Sequence, residues 1–241
     1  MRLVGIILNG SGFSRPASVA WASMLPPAGY NPLSASRLQI PRMFPKLVLA
    51  SNNAGKLKEF SALLAPLGIG EVIPQGQLDV PETDEPFSTF LENALRKARH
   101  ASRLTGLPAL AADSGLCVDA LGGQPGVLSA RYAGEPKSDA RNNQKLLDEL
   151  GDRTDRAGHY YCVLVLVRHA DDPQPIVADA LWRGEILRAA RGDGGFGYDP
   201  LFWLAGHDCS VAELDPAIKN RDSHRGQALA ALVSKLGAVA R

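Results

Sequence analysis

The chain has 241 residues, of which 45% are hydrophobic and 21% charged, a composition typical of globular proteins with enough apolar material for one sizeable core or two small ones. This composition excludes intrinsic disorder, collagen and a coiled coil as the state of the whole chain. The 26 basic and 25 acidic residues nearly cancel, so no overall field favours nucleic acid or an anionic membrane, and no apolar run reaches the ~20 residues of a membrane span.

Cysteine usage bears on the cellular compartment. Cys117, Cys162 and Cys209 are odd in number and lack the spacing of metal ligands. Such thiols are typical of a reducing compartment. We therefore expect a cytoplasmic protein with neither membrane nor nucleic acid among its partners.

Residues 1–45 have a composition of their own. They contain four arginines, six prolines and no acidic residue, so the rest of the chain carries a small acidic excess. Proline at this density breaks helical periods, including the amphipathic helix of an organelle transit peptide. We expect a disordered leader, or a start codon assigned too far upstream with the native protein beginning near Met43. The folded domain is predicted over residues 46–241.

The domain opens with a strand, a tight loop and a helix. Residues 46–51 form a short apolar run with β character, and Asn52 and Gly55 indicate a turn. Apolar residues then recur at helical spacing, namely Leu57, Phe60, Leu64 and Leu67. Pro66 and Gly68 predict the end of this helix.

A second helix begins after Thr89. The Thr89 hydroxyl at the N-cap and Glu92 at the third helical position have the spacing of a capping box. Apolar residues at helical intervals predict the buried stripe. These residues are Phe90, Leu91, Ala94, Leu95, Ala98 and Leu104.

The rest of the chain mixes strands and helices without a strict βα alternation. The predicted elements are strands at 108–112 and 116–120, a helix at 139–150, a hairpin of strands at 159–168 and 176–187, a glycine-rich loop at 192–200 and a final helix at 223–236. Asp113, Ser114 and Gly115 are predicted to separate the first two strands. The pattern predicts an α/β fold with a mixed twisted sheet flanked by helices.

The loop at 51–56 has the features of an anion site. It lies between a strand and a helix N-terminus, where backbone N–H groups and the helix dipole favour a phosphate. Lys56 adds a positive charge, and Ser51 and Asn53 add short polar groups. A turn followed by a solvated lysine explains the same residues equally well, because the spacing is not that of a Walker A motif.

Asp113 stands between two apolar strands, where an unpaired charge is costly. A metal ion would serve as its partner, and the acids expected to converge with it are Glu82, Asp84 and Glu85, before the second helix, and Glu92 within it. Oxygen ligands of this kind suit Mg²⁺, which takes one or two protein carboxylates plus substrate phosphates. A solvated acidic helix start is the alternative explanation for these acids.

The segment 192–200 places two aromatic rings and Asp199 among four glycines. Glycine allows the backbone to approach a flat ligand, Phe196 or Tyr198 can stack on a base, and a carboxylate can accept hydrogen bonds from the base edge. The segment outlines a nucleobase pocket. A hairpin loop whose aromatic rings cap the core is an equally good interpretation.

Cations are concentrated where the last helix is expected to begin, at Lys219, Arg221, His224 and Arg225. Positive charge at a helix N-terminus opposes the dipole and is locally unfavourable. Local conflicts of this kind tend to occur at functional sites. The cluster therefore indicates an anionic partner such as a triphosphate.

Six motifs follow one another in a fixed order over residues 46–237. They lie at 51–56, 89–94, 113–116, 123–126 with 129–132, 194–200 and 223–228. In this order the chain resembles the inosine/xanthosine triphosphate pyrophosphatases, a family of house-cleaning enzymes that hydrolyse deaminated purine nucleoside triphosphates. Each motif alone is weak, but six in register are highly specific.

The resemblance implies a two-lobed fold with an elongated sheet, an active-site cleft between the lobes, a homodimer and dependence on Mg²⁺. It implies cleavage between the α and β phosphates to give a nucleoside monophosphate and pyrophosphate. Asp113 would bind the metal and act as base toward water, with Asp84 and Glu85 as further metal ligands. The residues implied to bind substrate are Ser51, Asn52, Asn53, Ala54, Gly55, Lys56, Ser114, Phe196, Gly197, Tyr198, Asp199, Lys219, His224 and Arg225.

One position departs from the family pattern. The family commonly has a second acid immediately before the catalytic aspartate, and here that position is Ala112. Without this carboxylate, metal binding is weaker or depends more on Asp84 and Glu85. We expect an active enzyme with a higher demand for Mg²⁺.

Base selectivity follows from hydrogen-bonding patterns. Hypoxanthine and xanthine present an acceptor O6 and a donor N1–H, whereas adenine presents the reverse. A site built for the first pattern rejects the second, because buried polar groups are left unpaired. Guanine shares the favoured pattern and must be excluded through its 2-amino group.

Three alternatives compete with this interpretation. A pyrophosphatase for modified pyrimidines or dTTP would carry a serine-rich, double-arginine first loop, which residues 51–56 do not match. A nucleotide-binding regulatory protein with impaired catalysis is supported by Ala112 alone. An RNA-binding module is disfavoured because the acidic body has no stripe of aromatic and basic residues.

Overall fold

The computed structural model describes residues 44–52, 57, 60, 64 and 69–239. The predictions for residues 1–43, for Leu67 and for most of the phosphate loop (Asn53, Ala54, Gly55 and Lys56) lie outside the described residues. Leu57, Phe60 and Leu64 have helical conformation, and the side chains of Phe60 and Leu64 are buried.

The described chain forms a seven-stranded mixed sheet with the order β2-β1-β3-β4-β5-β6-β7. The strands are β1 (Lys46–Leu49), β2 (Glu71–Pro74), β3 (Ala109–Val118), β4 (Ala157–Val167), β5 (Ile176–Ile186), β6 (Phe202–Leu204) and β7 (Cys209–Ser210). β1 pairs in parallel with β2 and β3, whereas the other neighbours are antiparallel. The predicted α/β class with a mixed sheet and a long β4–β5 hairpin is confirmed.

The α-helices whose bounds the structure describes are α1 (Phe90–Thr105), α2 (Asp139–Leu150), α3 (Pro216–Asp222) and α4 (His224–Val239). Thr89 caps α1 as predicted, because its hydroxyl accepts a hydrogen bond from the Glu92 backbone N–H at 3.3 Å and donates one to the Glu92 carboxylate at 2.6 Å. Gly106 ends α1 in the left-handed conformation, with φ +69°. None of the described helices has the length and apolar character to cross a bilayer.

The buried face of α1 differs from the predicted stripe. Leu91 and Leu104 are 44% and 56% exposed, so their assignment to the core was wrong. α1 packs on the sheet through Ala94, Ala98 and Ala101, all fully buried. Alanine permits a close approach of helix and sheet, and the resulting contact face excludes the larger leucines on either side.

The core lies on both faces of the sheet because side chains alternate along β3. Ala109 and Ala111 pack beneath α1. Leu110 and Ala112 face the opposite side, in one cluster with Leu232 of α4. A third cluster lies at the far end of β3 and β4 and includes Leu116, Val118, Tyr160, Trp182, Phe202 and, from α2, Leu146 and Leu150.

The structure corrects the prediction of two short strands around Asp113, Ser114 and Gly115. β3 is one strand of ten residues, and these three residues pair with β4 in an unbroken register. Gly115 permits a close approach here and forms no turn, since a Cβ on it would lie 2.4 Å from the Gly126 carbonyl oxygen. Glycine inside a strand pattern is thus explained by packing against the following loop.

The cations predicted at the start of the last helix are divided between two helices. Lys219 and Arg221 lie in the last turn of α3, where positive charge complements the dipole, so the predicted conflict is wrong for these two. Asp215 caps α3 by accepting from the Ala217 N–H at 2.8 Å. α4 begins at His224, close to the predicted start. Of the four predicted cations, only His224 and Arg225 lie in its first turn.

The pairing of β1 determines where the sheet is open. β1 pairs with β3 only through Val48 and Leu49, opposite Ala109 and Leu110. Among the described residues, β3 has no further strand partner on that side between Leu110 and the bridge that joins Cys117 to Pro125. A cavity therefore lies beside the middle of β3.

Candidate active site

The cavity at the open edge of β3 has a volume of about 310 Å³, which is at the lower end of the range for ligand pockets. It is lined by every predicted site residue that the structure describes: Ser51, Asn52, Asp84, Glu85, Asp113, Ser114, Phe196, Gly197, Tyr198, Asp199, Lys219, His224 and Arg225. These residues come from segments far apart in sequence. The roles predicted for them individually stay predictions.

One end of the cavity holds two carboxylates that share a lysine. Lys97 of α1 donates to Asp113 Oδ1 at 2.9 Å and to Glu85 Oε1 at 2.8 Å. The Asp113 side chain is 8% exposed and that of Lys97 is 13% exposed, so both charges are largely removed from water. Burying such charges is tolerated because they are paired.

The second oxygen of Asp113 differs from the first. Asp113 Oδ2 is buried and has no hydrogen-bond partner among the described residues. An unsatisfied buried acceptor costs on the order of 1–3 kcal/mol or more. Orphaned buried groups are uncommon in folded proteins, and an ordered water or a bound ion is the usual partner.

The donor set here fits a hard cation. Carboxylate oxygens of Asp113 and Glu85 are the ligand type that Mg²⁺ prefers, and one buried oxygen is available. No group of three His, Cys, Asp or Glu side chains within the described residues forms a complete metal site. A cation held here would therefore take its remaining ligands from water and substrate phosphates.

Asp84 and Glu85 have different surroundings although they are adjacent. The Asp84 carboxylate is 67% exposed and pairs with Arg96 of α1, whose hydrogen bond lowers the pKa of the Asp84 carboxyl below its ordinary value. Lys97 bridges Glu85 to Asp113, because it donates to both carboxylates. The second oxygen of Glu85 accepts from Arg131 at 3.3 Å. Of the two predicted ligands, Glu85 is the one that the structure brings to the Asp113 cluster.

The other end of the cavity is organised by Asp199. Its Oδ2 accepts from Lys219 Nζ at 2.7 Å and from the Phe196 N–H at 2.9 Å. Its Oδ1 accepts from the Tyr160 hydroxyl at 3.1 Å. Burial and the Asp199 charge raise the pKa of the Tyr160 hydroxyl well above its ordinary value, so Tyr160 remains a proton donor throughout the physiological pH range.

Two cations flank the Phe196 ring. Lys219 Nζ lies 4.8 Å and the Arg225 guanidinium 5.0 Å from its centroid, both within cation–π range. Arg225 also reaches Ser114 of β3, with 3.4 Å between Nη2 and Oγ. Arg225 thus connects the aromatic end of the cavity with the Asp113 end.

The His224 imidazole stacks on the Tyr160 ring, with 4.8 Å between ring centroids and 10° between planes. Both residues are buried and line the cavity. The stacking fixes the plane in which the imidazole can meet a ligand. Because Tyr160 also holds Asp199, one side chain of β4 orients two of the predicted site residues.

Sequence reasoning missed Lys97, Arg131 and Tyr160. For Lys97 a signal was present, since it lies four residues after Asn93 and beside Ala98 on the face of α1 that becomes buried. A lysine on the apolar face of an amphipathic helix needs a buried anionic partner. Tyr160 lies in an apolar strand and gave no such signal, and Arg131 lies in a motif without any other indication of its partner.

Comparison with known proteins gives one family. The model of the Ham1 family matches residues 47–235. A protein of Chromobacterium violaceum named dITP/XTP pyrophosphatase is 70% identical over 198 residues, which cover 82% of this chain and all of that protein. A protein of Ralstonia nicotianae with the same name is 64% identical, covering 79% of this chain and 96% of the relative.

Solved structures give the same result. A HAM1 protein from Coxiella burnetii aligns with a TM-score of 0.73 and 48% identity, covering 80% of this chain and 97% of that one. The Ham1 protein of Staphylococcus aureus aligns with a TM-score of 0.72 and 38% identity, covering 80% and 99%. The similarity thus extends over almost the whole length of each relative.

Proposed function

Because the chain belongs to the Ham1 family, we propose that it hydrolyses deaminated purine nucleoside triphosphates, namely dITP, ITP, XTP and dXTP, to the nucleoside monophosphate and pyrophosphate. This activity removes damaged nucleotides from the pool. It is supported by relatives at 70% and 64% identity that are named dITP/XTP pyrophosphatase. We assign the activity to a domain over residues 46–241 and place it in the cytoplasm.

The observation that carries the proposal is the environment of Asp113. Its carboxylate is buried, one oxygen is bound by Lys97, and the other has no partner among the described residues. A carboxylate with a free acceptor can take the proton of a water molecule beside a phosphate. Lys97 Nζ, 2.9 Å from Asp113 Oδ1, offsets the cost of burying the Asp113 carboxylate.

Mg²⁺ is proposed as the cofactor, with Asp113 and Glu85 as its protein ligands and the more exposed Asp84 as a third. When bound, it would neutralise phosphate charge and polarise the phosphoryl group. Phosphoryl attack needs charge neutralisation and a positioned water more than a protein nucleophile. The side chains around Asp113 meet those needs without a serine or cysteine nucleophile.

The triphosphate is proposed to lie between the two ends of the cavity. Ser51, Asn52 and Ser114 line this middle part, and Arg225 extends a guanidinium to Ser114. Predicted contacts from Asn53, Ala54, Gly55 and Lys56 belong to the same loop but lie outside the described residues. The base is then directed toward Phe196 and Asp199.

Base recognition is proposed for the aromatic end. Phe196 offers a ring face, and Lys219, His224 and Arg225 are hydrogen-bond donors that suit an acceptor such as O6 of hypoxanthine or xanthine. Adenine presents an amino donor at that position and would meet these donors with a second donor instead of an acceptor. The Asp199 carboxylate already accepts from three groups, so its main contribution is to hold Lys219 and the Phe196 backbone in place.

We also propose a homodimer, as the family resemblance implies. Phe90 packs edge-on against Tyr161 at 5.5 Å between ring centroids, and Tyr161 lies opposite Leu181 in the β4–β5 ladder. Leu91 and Leu181 are large apolar side chains that are 44% and 39% exposed. Analytical ultracentrifugation of the wild-type protein and a Leu91→Glu, Leu181→Glu variant tests this proposal, with dissociation of the variant expected.

The activity is tested by measuring pyrophosphate release from dITP, XTP, dGTP and dATP, with and without Mg²⁺, and by identifying the products. Mg²⁺-dependent release from dITP and XTP, at least about tenfold faster than from dATP, is the expected result. Tight nucleotide binding without pyrophosphate release would contradict the proposal. That result would instead support a binding protein on this fold.

A further inference from the structure

The Gly197 peptide is held on both sides by the start of α2. Its N–H donates to Asp139 Oδ2 at 2.7 Å, and its carbonyl accepts from Asn143 Nδ2 at 3.0 Å. Asp139 and Asn143 are four residues apart on a helix and therefore share one face. The same face of α2 thus satisfies both backbone polar groups of one residue, Gly197, in the segment 196–199.

α2 is itself firmly anchored. Ser138 caps it by accepting from the Arg141 N–H at 3.3 Å, and Leu146 and Leu150 are fully buried in the core. The buried Asn142 accepts from the Ala133 N–H at 2.8 Å. The first turn of α2 is therefore a rigid reference point for the segment beside it.

Gly197 directly follows Phe196, whose ring is proposed to meet the base. It has φ +64°, a conformation that glycine adopts without strain, and its neighbours are the Phe196 ring and Tyr198. Tyr198 donates to the Ser129 carbonyl at 2.8 Å, and the Phe196 N–H donates to Asp199. A shift of the Gly197 peptide would therefore move the Phe196 ring relative to Lys219 and Arg225.

We propose that Asp139 is a positioning residue for base recognition, acting through the Gly197 peptide. This inference rests on the proposed function, in which the Phe196 ring contacts the purine. Asp139 lies at the cavity wall but acts on the substrate only through the segment that it holds. Asn143 supports the same residue through the Gly197 carbonyl.

Asp139→Ala removes the acceptor of the Gly197 N–H. The expected result is a KM for dITP raised about tenfold and a smaller preference for dITP over dATP, with kcat within about threefold of wild type, since small misplacements of binding groups have large effects. Asp139→Asn keeps a carbonyl oxygen for the same N–H and is expected to restore KM to within about threefold.

Ser138→Ala is the matched control for a merely structural role. It removes the N-cap of the same helix, which typically costs about 1 kcal/mol, and leaves the Gly197 contacts in place. We expect it to lower the melting temperature at least as much as Asp139→Ala while leaving KM and base preference unchanged. A rise in KM for Ser138→Ala equal to that of Asp139→Ala would overturn the proposal.

Amide hydrogen exchange of Gly197, followed by NMR, reports the contact without activity. Exchange at this amide is expected to be faster in Asp139→Ala than in the wild type and the Asp139→Asn variant. An active wild type together with an Asp139→Ala variant of unchanged KM and base preference overturns the inference alone. A wild type that hydrolyses none of the nucleotides overturns the proposed function and the inference with it.

Discussion

Asp113 and Asp199 are buried to the same degree, at 5% and 4% exposed, yet their carboxylates are used differently. Asp199 accepts three hydrogen bonds that engage both oxygens. Asp113 accepts one from Lys97, and its Oδ2 has no partner among the described residues. The comparison separates a carboxylate that organises a loop from one that is available to a ligand.

The difference follows from where each residue lies. Asp199 opens a 3-10 turn directly after the glycine-rich loop, and its carboxylate holds the Phe196 N–H of that loop together with Lys219 and Tyr160. Asp113 stands in β3, whose backbone is already paired with β4, so its side chain has no structural task on the cavity side. A buried carboxylate whose oxygens all accept hydrogen bonds stabilises the fold. A buried carboxylate with an oxygen that accepts none lowers the stability of the fold but can bind a ligand.

The largest expected effect is that of Asp113→Asn. The amide cannot act as a base and binds Mg²⁺ poorly, so kcat for dITP should fall by about 10²–10⁴-fold. The fold should be retained because Lys97 keeps its pair with Glu85 at 2.8 Å. Pyrophosphate release and thermal unfolding measure the two effects, and a variant with more than a tenth of wild-type activity would contradict this role.

Asp199→Asn should affect binding more than turnover. In either orientation the amide NH₂ faces a donor, either the Tyr160 hydroxyl or the pair of Lys219 and the Phe196 N–H. Loss of a charged hydrogen bond costs about 1.5–3 kcal/mol, so KM for dITP should rise about tenfold or more while kcat changes little. Tyr160→Phe removes one neutral donor and serves as the milder control. Steady-state kinetics check both, and equal losses of kcat for Asp113→Asn and Asp199→Asn would remove the distinction between the two acids.

Ala112→Asp should produce a smaller, metal-specific effect. Ala112 is 3% exposed and borders the cavity, so a carboxylate there is destabilising unless a cation neutralises it. The Mg²⁺ concentration for half-maximal activity should fall a few-fold, and the melting temperature should rise with Mg²⁺ more than in the wild type. Ala112→Asn adds similar bulk without charge and is the control. Identical magnesium titrations for wild type and Ala112→Asp would contradict the higher metal demand.

Substitution of a third buried aspartate, Asp172, should change stability and leave activity unchanged. Asp172, in the turn between β4 and β5, is fully buried and binds Arg168 at 2.6 Å, and this bond holds the pKa of the Asp172 carboxyl far below its ordinary value. A lowered pKa in the folded state stabilises the protein above about pH 4, and this contribution is lost as the pH falls further.

Asp172→Asn should therefore lower the stability at pH 7 by about 1–3 kcal/mol, and the difference from wild type should shrink below pH 4. Denaturant unfolding at several pH values provides the measurement, with dITP hydrolysis at 25 °C expected to be unchanged. A difference that grows on acidification would show that the sign of this account is wrong.

Much of the fold was predictable because local signals and tertiary packing agree. The Thr89 cap, the helix at Asp139–Leu150 and the β4–β5 hairpin all follow from short-range patterns. The prediction failed where packing overrides pattern. Gly115 was predicted to separate two strands, whereas it lies within β3 and allows the Gly126 backbone to approach. The predicted buried stripe of α1 included Leu91 and Leu104, which are exposed, and left out Ala101, which is fully buried.

The candidate site was predictable as a set of residues and much less as a set of contacts. Family motifs identified Asp113 and Asp199, but their partners Lys97 and Tyr160 lie 16 and 39 residues away in sequence. Pairing at such distances depends on how α1 and β4 are placed on the sheet, which periodicity does not specify. The hydrogen bond from the Gly197 N–H to Asp139 joins residues 58 apart in sequence, and it likewise depends on how the elements are placed on the sheet.

The most direct test of the distinction between the two acids is binding of Mn²⁺, a paramagnetic substitute for Mg²⁺, followed by electron paramagnetic resonance on the wild type, Asp113→Asn and Asp199→Asn. We predict that Asp113→Asn weakens Mn²⁺ binding at least about tenfold, as expected for loss of a ligand, whereas Asp199→Asn binds within about twofold of wild type. Equal binding by wild type and Asp113→Asn, or an equal loss in both variants, would contradict the assignment of the available oxygen of Asp113 to a metal.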